Sequence, residues 1–261
     1  MRTDLDGLTC VDRSIAILCQ YEPPEGYWLA FSGGKDSVCL YRLAEMAGVR
    51  FDAHYNVTTI DPPELVRFIR KQYPQVQWER PRCTFYRLVE RRGFPTRHAR
   101  WCCADLKERG GHGRWVITGI RAAESYMRQR RGIMERCKRD PSKTLIAPML
   151  HWTNAEVWEF IRAEDLAYCS LYDEGWKRLG CVCCPFERRV ARSMARWPGI
   201  WEQVRRAFHR RWARETSKLN RRWRSADEAF DWWCSRDQAY PTPLDEQDQQ
   251  PCLFGLGMED E

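Results

Sequence analysis

The sequence lacks features that membrane and secreted proteins need. No apolar run approaches the roughly 20 residues of a membrane helix, so we expect no segment that spans a bilayer. Residues 1–14, MRTDLDGLTCVDRS, have acidic side chains where a signal peptide has a basic flank and an apolar stretch, which favours the cytoplasm. No internal repeat is visible in the sequence. The 261 residues, 43% hydrophobic and 30% charged, suffice for one large globular domain or a domain with a helical extension.

Cysteine, in contrast, is abundant, with thirteen residues. In a reducing compartment cysteines act as metal ligands, nucleophiles or small buried hydrophobes more often than as disulfides, and the odd number agrees. Cys102 and Cys103 are adjacent, and Cys181 and Cys184 form a C-x-x-C pair with Cys183 as a competitor for one place. Four thiolates from two such pairs can hold a zinc ion or an iron–sulfur cluster, and spacing alone does not choose between them. Burial as packing residues is the alternative.

The net charge of +7 is unevenly distributed. Residues 188–224 contain thirteen basic residues and two glutamates, whereas residues 227–261 contain ten carboxylates and one arginine. The basic segment is interleaved with Trp197, Trp201, Trp212 and Trp223, so it can hold nucleic-acid phosphates and stack bases. The alternative is an amphipathic helical pair with the tryptophans in the core and the arginines in solvent.

Hydrophobic periodicity predicts alternating strands and helices. The predicted strands are 27–31, 49–57, 76–78, 115–118 and 145–147, and the predicted helices are 38–47, 64–72, 84–92 and 154–161, the last opened by a capping box at 153–156. This order predicts an α/β fold, with a parallel twisted sheet that has helices on both faces. Beyond about residue 186 the patterns are helical, which predicts a C-terminal helical extension.

The chain is thereby divided into four predicted regions. They are an N-terminal helical segment (1–25), a nucleotide-binding domain with the paired cysteines (26–186), a basic Trp-rich helical extension (187–240) and an acidic tail (241–261).

The segment FSGGKDS, residues 31–37, follows the first predicted strand and opens the next helix. Ligands bind at such positions in open α/β sheets. Two glycines let the backbone approach an anion, and the helix N-terminus with the Ser32, Ser37 and Lys35 side chains supplies donors, which suits a phosphate chain. The spacing differs from that of the Walker loop. Asp36, a carboxylate in an anion loop, points to Mg²⁺ binding or to orientation of the donors.

Several motifs together resemble a known family. SGGKDS resembles the PP-loop of the adenine nucleotide alpha-hydrolases, which cleave ATP to AMP and pyrophosphate while adenylating a substrate. Further matches are CCADLK (102–107), GIRAAESYMR (119–128), PMLHWT (148–153), LYDEG (171–175) and GC (180–181). With the two cysteine pairs, the chain from about residue 27 to 186 resembles the phosphoadenosine phosphosulfate (PAPS) reductase family, and in particular its iron–sulfur branch.

The resemblance implies roles for individual residues. The implied ligands of a 4Fe-4S cluster are Cys102, Cys103, Cys181 and Cys184. The implied nucleotide-binding residues are Ser32, Gly33, Gly34, Lys35, Asp36, Ser37, Gly119, Arg121, Glu124, Ser125 and Arg128. The implied catalytic residues are Asp36, Ser37 and Lys107, and Lys107 is expected near the cluster and the substrate phosphates. Arg121 and Arg128 follow a predicted strand, where guanidinium groups can grip phosphate or sulfate oxygens; ordinary surface arginines are the alternative.

Three functions remain open. The first is a PP-loop ATP pyrophosphatase that activates an acceptor for sulfur insertion, as in the DNA phosphorothioation systems that this chain resembles most; the intact Lys35 and Asp36 favour it. The second is an adenylylsulfate or PAPS reductase with a late nucleophilic cysteine, but Cys234 and Cys252 lack the Glu-Cys-Gly-Leu-His-like ending of those enzymes. The third is a non-catalytic, cluster-bearing nucleic-acid-binding module, against which the complete loop argues.

These hypotheses bring expected cofactors and partners. The cofactors are a 4Fe-4S cluster, ATP and Mg²⁺. The partners are ATP or a sulfonucleotide, nucleic acid on residues 188–224, and a sulfur-donor protein such as a cysteine desulfurase, with a homo-oligomer left open. We expect no membrane partner.

Overall fold

The computed structural model describes residues 6–214 and 222–235. The chain divides into two compact units. The first unit comprises Met1–Arg82 and Cys102–Cys181, and the second comprises Cys83–Trp101 and Val182–Glu261. Cys252 and the predicted acidic tail lie outside the described residues, and the four-region division stays a prediction.

The first unit contains a six-stranded sheet. Its strands are β1 (Tyr27–Phe31), β2 (Phe51–Asn56), β3 (Gln77–Glu79), β4 (Trp115–Ile117), β5 (Met134–Arg136) and β6 (Thr144–Ile146). The sheet order is β3-β2-β1-β4-β6-β5, and all neighbours pair in parallel except β5, which pairs antiparallel with β6. The predicted α/β fold with a mainly parallel sheet is confirmed. The edge strand β5 was not predicted, because three residues with two exposed side chains give no strand pattern.

Ten α-helices occur in the described residues. They are α1 (Cys10–Gln20), α2 (Lys35–Met46), α3 (Pro63–Gln72), α4 (Phe85–Arg92), α5 (Trp101–Leu106), α6 (Tyr126–Gln129), α7 (Asn154–Ala163), α8 (Val190–Arg196), α9 (Pro198–Trp212) and α10 (Ala226–Ser235). The predicted capping box of α7 is present, since the Thr153 hydroxyl accepts from the Glu156 N–H and the Glu156 carboxylate accepts from the Thr153 N–H. None of the described helices is long and apolar enough to cross a membrane.

The second unit is built around aromatic side chains of α9, α10 and the segment that follows α4. Phe94 stacks on Phe208 with ring centroids 5.0 Å apart, and Trp201 and Trp233 pack in the same core. Trp197 and Trp223 are buried as well. These buried tryptophans are not available to stack bases, so the packing alternative for this segment describes them correctly. Trp212 is half-buried.

Several arginines of the basic segment have acidic partners within this unit. The Arg205 Nε lies 2.8 Å from the Asp227 carboxylate, and the Arg206 Nε lies 3.0 Å from the Glu202 carboxylate. Arg210 pairs with Glu90. These contacts offset part of the positive charge that the sequence concentrates here.

Candidate nucleotide-binding site

The candidate site lies at the point where the strand order reverses. Sequence neighbours β1, β2 and β3 extend in one direction from β1, while β4 pairs with the other side of β1. The loop after β1 carries residues 32–34 and leads into α2, and the loop after β4 carries residues 118–121. Such a switch point, outside the carboxyl ends of the strands, forms the ligand crevice of open α/β sheets.

The loop after β1 has a fixed local geometry. Gly33 has φ +71°, and a Cβ there would lie 2.7 Å from the Ile69 side chain, so glycine is required for both backbone and space. The Ser37 hydroxyl donates to the Gly34 carbonyl at 2.8 Å and accepts from the Ser32 N–H at 3.2 Å. Ser37 thus fixes the turn that opens α2.

The N-terminus of α2 has no side-chain cap from its own N-cap residue. Gly34 is the N-cap residue and provides no side-chain cap. The Lys35 N–H donates to the Tyr172 hydroxyl oxygen at 2.9 Å, and the Lys35 ammonium lies 6.0 Å from the centre of the Tyr172 ring. A helix N-terminus attracts phosphate, and a hydroxyl oxygen that accepts from its first N–H occupies the place of a phosphate oxygen.

Asp36 is the centre of a buried charge cluster. Its carboxylate lies 3.1 Å from the Lys35 Nζ and 2.6 Å from the Arg121 Nε. Lys35 and Arg121 are each only 3% exposed, and Arg121 also donates to the Trp152 carbonyl at 3.2 Å. Of the two roles predicted for Asp36, this geometry favours orientation of the cationic donors.

Gly119 lets the two loops approach each other. A Cβ at this position would lie 2.9 Å from the Asp36 carbonyl oxygen and 3.0 Å from its carbonyl carbon. The backbone after β4 therefore packs directly against the first turn of α2, which brings Arg121 to Asp36. The GxR spacing of the sequence motif follows from this contact.

Glu124 links the buried cluster to a second group of arginines. Its carboxylate accepts from the Arg121 N–H at 3.2 Å and pairs with Arg128 and, at 3.4 Å, with Arg178. Ser125 is the N-cap residue of α6, and its carbonyl accepts from the Arg128 N–H at 2.9 Å. Of the nucleotide-binding residues predicted after β4, Arg121 and Arg128 therefore share the Glu124 carboxylate.

Cationic side chains outnumber the carboxylates at this site. Burial lowers the pKa of Lys35 despite the opposing effect of Asp36, and Arg121 and Arg178 lower it further. Burial lowers the pKa of Arg128 to about 10, with contributions from the nearby Arg178 and Arg131. Groups whose protonated forms are disfavoured in this way gain from a bound polyanion.

Two residues of this site were missed by sequence reasoning. Tyr172 belongs to the matched LYDEG segment, but nothing in the spacing indicated that its hydroxyl binds a residue 137 positions earlier. Arg178 belongs to no matched motif, although it pairs with Glu124. Both contacts join segments distant in sequence, and periodicity carries no signal for them.

The predicted cluster ligands are half-buried thiols. Cys102, Cys103 and Cys181 belong to the first unit and Cys184 to the second. The competitor Cys183 is fully buried, as a packing residue would be. Their donor chemistry suits a cluster, but the described residues contain no group of three or more His, Cys, Asp or Glu arranged to hold a metal ion. The cluster stays a prediction.

Lys107 follows α5, and its N–H donates to the Cys103 carbonyl at 2.9 Å. Its side chain is exposed. Its role beside substrate phosphates also stays a prediction.

Known proteins are similar to the part of the chain that forms this site. An adenosine 5'-phosphosulfate reductase of Staphylococcus epidermidis is 28% identical over 155 residues, which cover 54% of this chain and 60% of that protein. A probable FAD synthase of Schizosaccharomyces pombe is 31% identical over 166 residues, which cover 61% and 60%. The chain spans 40 to 60% of the length of the first curated relatives that it matches.

A solved structure shares the fold. The Candida glabrata FMN adenylyltransferase in complex with FMN and the ATP analogue AMPCPP aligns with a TM-score of 0.50 and 16% identity, over 66% of this chain and 63% of that one. The sequence profile described as the phosphoadenosine phosphosulfate reductase domain matches residues 26–187, more than half of the chain and all of the site around Asp36. The chain belongs to the phosphoadenosine phosphosulfate reductase domain family.

Proposed function

We propose that the protein is an ATP pyrophosphatase that transfers AMP to an acceptor and so activates it for sulfur insertion. The observation that carries this proposal is the complete loop, in which the Asp36 carboxylate orients Lys35 and Arg121 at 3.1 and 2.6 Å beside the N-terminus of α2. Family membership alone does not choose the reaction, because the relatives' names divide between sulfonucleotide reductase and FAD synthase.

The phosphates of ATP would bind residues 32–37. The glycine backbone and the N–H groups that open α2 attract phosphate oxygens, and one of them, the Lys35 N–H, would exchange its bond to Tyr172 for a phosphate oxygen. Arg128 and Arg178, which share Glu124, would bind the outer phosphates.

The proposed reaction is in-line displacement at the α-phosphorus. An acceptor oxygen forms a bond to the α-phosphorus, the bond to the bridging oxygen breaks, and pyrophosphate leaves with that electron pair. When the acceptor is a nucleic-acid phosphate, its attacking oxygen is anionic and carries no proton, so no proton is transferred. Lys35 and Arg121, held in place before ATP binds, offset the negative charge that develops on the leaving pyrophosphate.

Two of the predicted cofactors, Mg²⁺ and the 4Fe-4S cluster, have different support. The Asp36 carboxylate is already bound to two cations, so the arrangement does not fit a preformed Mg²⁺ site centred on Asp36. The 4Fe-4S cluster rests on the resemblance and on the chemistry of four half-buried thiols. A cluster of this kind would supply a structural anchor or a relay for sulfur or electrons.

The acceptor is proposed to be nucleic acid, as in DNA phosphorothioate modification, with a cysteine desulfurase as the sulfur donor. Support comes from the resemblance and from the excess of basic residues. Sulfonucleotide reduction is the second candidate, because one relative is named adenosine 5'-phosphosulfate reductase. Its nucleophile would be Cys234, which is half-buried on α10, or Cys252, outside the described residues.

Anaerobic incubation with alternative substrates separates these candidates. The protein is incubated with ATP, Mg²⁺ and nucleic acid, and in parallel with adenylylsulfate or PAPS and a thiol reductant. Release of AMP and pyrophosphate in the first reaction, without sulfite in the second, supports the proposal. Sulfite without pyrophosphate would replace it with the reductase function.

A further inference from the structure

Two large apolar side chains lie on the surface beside the nucleotide site. Tyr126 is 70% exposed and Met127 is 71% exposed, the highest values for large hydrophobic residues in the described part of the chain. Both belong to α6, which directly follows Glu124 and Ser125. Met134, on the edge strand β5, is 45% exposed. Exposure of large apolar groups in one short stretch marks a contact surface.

The same stretch is strongly basic. Residues 126–139 contain one acidic residue, Glu135, and six basic residues: Arg128, Arg130, Arg131, Arg136, Lys138 and Arg139. Arg131 pairs with Glu135, whereas the side chains of Arg130, Arg136 and Lys138 are exposed. We call residues 126–139 the α6–β5 surface.

The α6–β5 surface is anchored to the nucleotide loop within the first unit. The turn 122–124 begins at the buried Arg121, and the Ala122 N–H donates to the Leu150 carbonyl at 2.7 Å. Glu124 then binds the Arg121 N–H and the Arg128 side chain, so α6 starts where the charge cluster around Asp36 ends. A molecule bound on this surface lies next to the proposed site of adenylation.

We propose that the α6–β5 surface binds single-stranded nucleic acid, with phosphates on Arg130 and Lys138 and a base stacked on Tyr126. This proposal rests on the proposed function in one respect only: it treats the bound strand as the acceptor. The chemistry fits: clustered cations bind a phosphate backbone, and exposed aromatic rings stack unpaired bases whatever their identity. An acidic protein segment is the alternative occupant, since aromatic residues, Met and Arg are also enriched at protein interfaces, and it is the outcome if the chain binds no oligonucleotide.

This location differs from the basic segment 188–224. There the buried tryptophans are packed in a core, and Arg205 and Arg206 have carboxylate partners at 2.8 and 3.0 Å. On the α6–β5 surface the aromatic ring is exposed and Arg130 and Lys138 have no carboxylate partner among the described residues. The two segments therefore give opposite predictions for the same assay.

The test is fluorescence anisotropy of the full chain with a labelled single-stranded DNA oligonucleotide, without ATP. Tyr126→Ala is expected to weaken binding about tenfold, and Tyr126→Phe, which keeps the ring, to retain it. With an abasic strand of equal length the Tyr126→Ala effect should vanish, because no base remains to stack. Equal effects on both strands would overturn the stacking contact.

Charge-matched double variants test the location. Arg130→Gln with Lys138→Gln should weaken binding and reduce the salt slope by about 0.7 for each phosphate that the protein no longer neutralises, whereas Arg205→Gln with Arg206→Gln should change neither. The reverse pattern, or no binding of any oligonucleotide by the wild-type chain, would overturn the proposal.

A parallel ATP assay separates this proposal from the proposed function. Stabilisation by an ATP analogue should be the same in all four surface variants. Oligonucleotide binding that depends on Tyr126 and Arg130, together with failure of pyrophosphate release, would support the surface and reject the pyrophosphatase.

Discussion

The Arg121 guanidinium donates to the Asp36 carboxylate at 2.6 Å, across 85 residues of sequence. The contact joins the segments that follow the neighbouring strands β1 and β4. Arg121 is 3% exposed, so its charge is shielded from water and depends on this partner. The contact explains how a carboxylate can stand in a loop built for phosphate. It holds a cation in place rather than facing the ligand.

The first prediction concerns that ion pair. Asp36→Asn leaves Arg121 without its charged partner, so the free energy of unfolding should fall by about 1.5–3 kcal/mol. Pyrophosphate release should fall on the order of 10²-fold, because Lys35 and Arg121 are no longer oriented. Chemical denaturation and a pyrophosphate assay measure the two effects.

The control is Glu45→Gln, on the same helix and in an exposed pair with Arg42, which should change stability by under about 1 kcal/mol. Normal pyrophosphate release by Asp36→Asn would remove the loop from the mechanism.

The second prediction concerns pH. The pKa of Arg128 is lowered to about 10, and that of Lys35 is lowered as well. A polyphosphate favours their protonated forms, so it raises both pKa values on binding. Protons are then taken up at a pH near the pKa values of the free protein, where these groups are partly deprotonated. ATP affinity should therefore fall as the pH rises through about 10, by up to about tenfold per pH unit for each proton lost.

Isothermal calorimetry near pH 10, in two buffers of different ionisation heat, measures that proton uptake. Arg128→Gln should reduce it, whereas Arg42→Gln, towards the C-terminal end of α2 and in a half-buried pair with Glu164, should preserve it. Uptake that is unchanged in Arg128→Gln would show that Arg128 does not bind the phosphates.

The third prediction concerns the close approach at Gly119. The Cβ of Gly119→Ala would lie 2.9 Å from the Asp36 carbonyl oxygen, which forces the two loops apart. Overpacking of this kind should cost about 1–3 kcal/mol of stability and weaken ATP binding. Gly199→Ala on α9, where a Cβ meets no atom within 4 Å, is the control and should be neutral or slightly stabilising. ATP binding at wild-type strength in Gly119→Ala would contradict the close packing of these loops.

The fourth prediction concerns the cysteines. Cys103→Ser and Cys184→Ser should remove the iron and the broad visible absorption of anaerobically purified protein. Cys19→Ser, at an exposed position on α1, should retain both. Iron analysis and absorption spectra measure these effects. Full iron content in Cys103→Ser and Cys184→Ser would show that Cys103 and Cys184 are not ligands.

Local features of the fold could be predicted from the sequence. The glycine loop and the capping box of α7 each depend on a few consecutive residues, so the local sequence pattern predicts both. Strand β2 was predicted two residues early and one residue late, because Val49 and Val57 continue the apolar pattern beyond the pairing. The edge strand β5 has no such pattern, since its pairing comes from β6 rather than from its own side chains.

Long-range features of the site could not be predicted from periodicity. The resemblance placed Arg121 at the nucleotide, but its contact with Asp36 requires β1 and β4 to be neighbours, which sheet order decides. Helical spacing is compatible with base stacking and with core packing for Trp197, Trp201 and Trp223. Their burial in the structure distinguishes the two roles. Exposure likewise drew attention to Tyr126, which at 70% is more exposed than Phe186 at 50% and Tyr168 at 37%.

The most direct test of the central claim is the product formed from ATP labelled at its α-phosphate. The wild-type chain, incubated anaerobically with Mg²⁺ and single-stranded nucleic acid, should release unlabelled pyrophosphate and convert the label to AMP or to an AMP adduct. Asp36→Asn should reduce both products together, and Glu45→Gln should reduce neither. Labelled ADP would place cleavage at the wrong bond, and intact ATP beside sulfite from adenylylsulfate would contradict the pyrophosphatase.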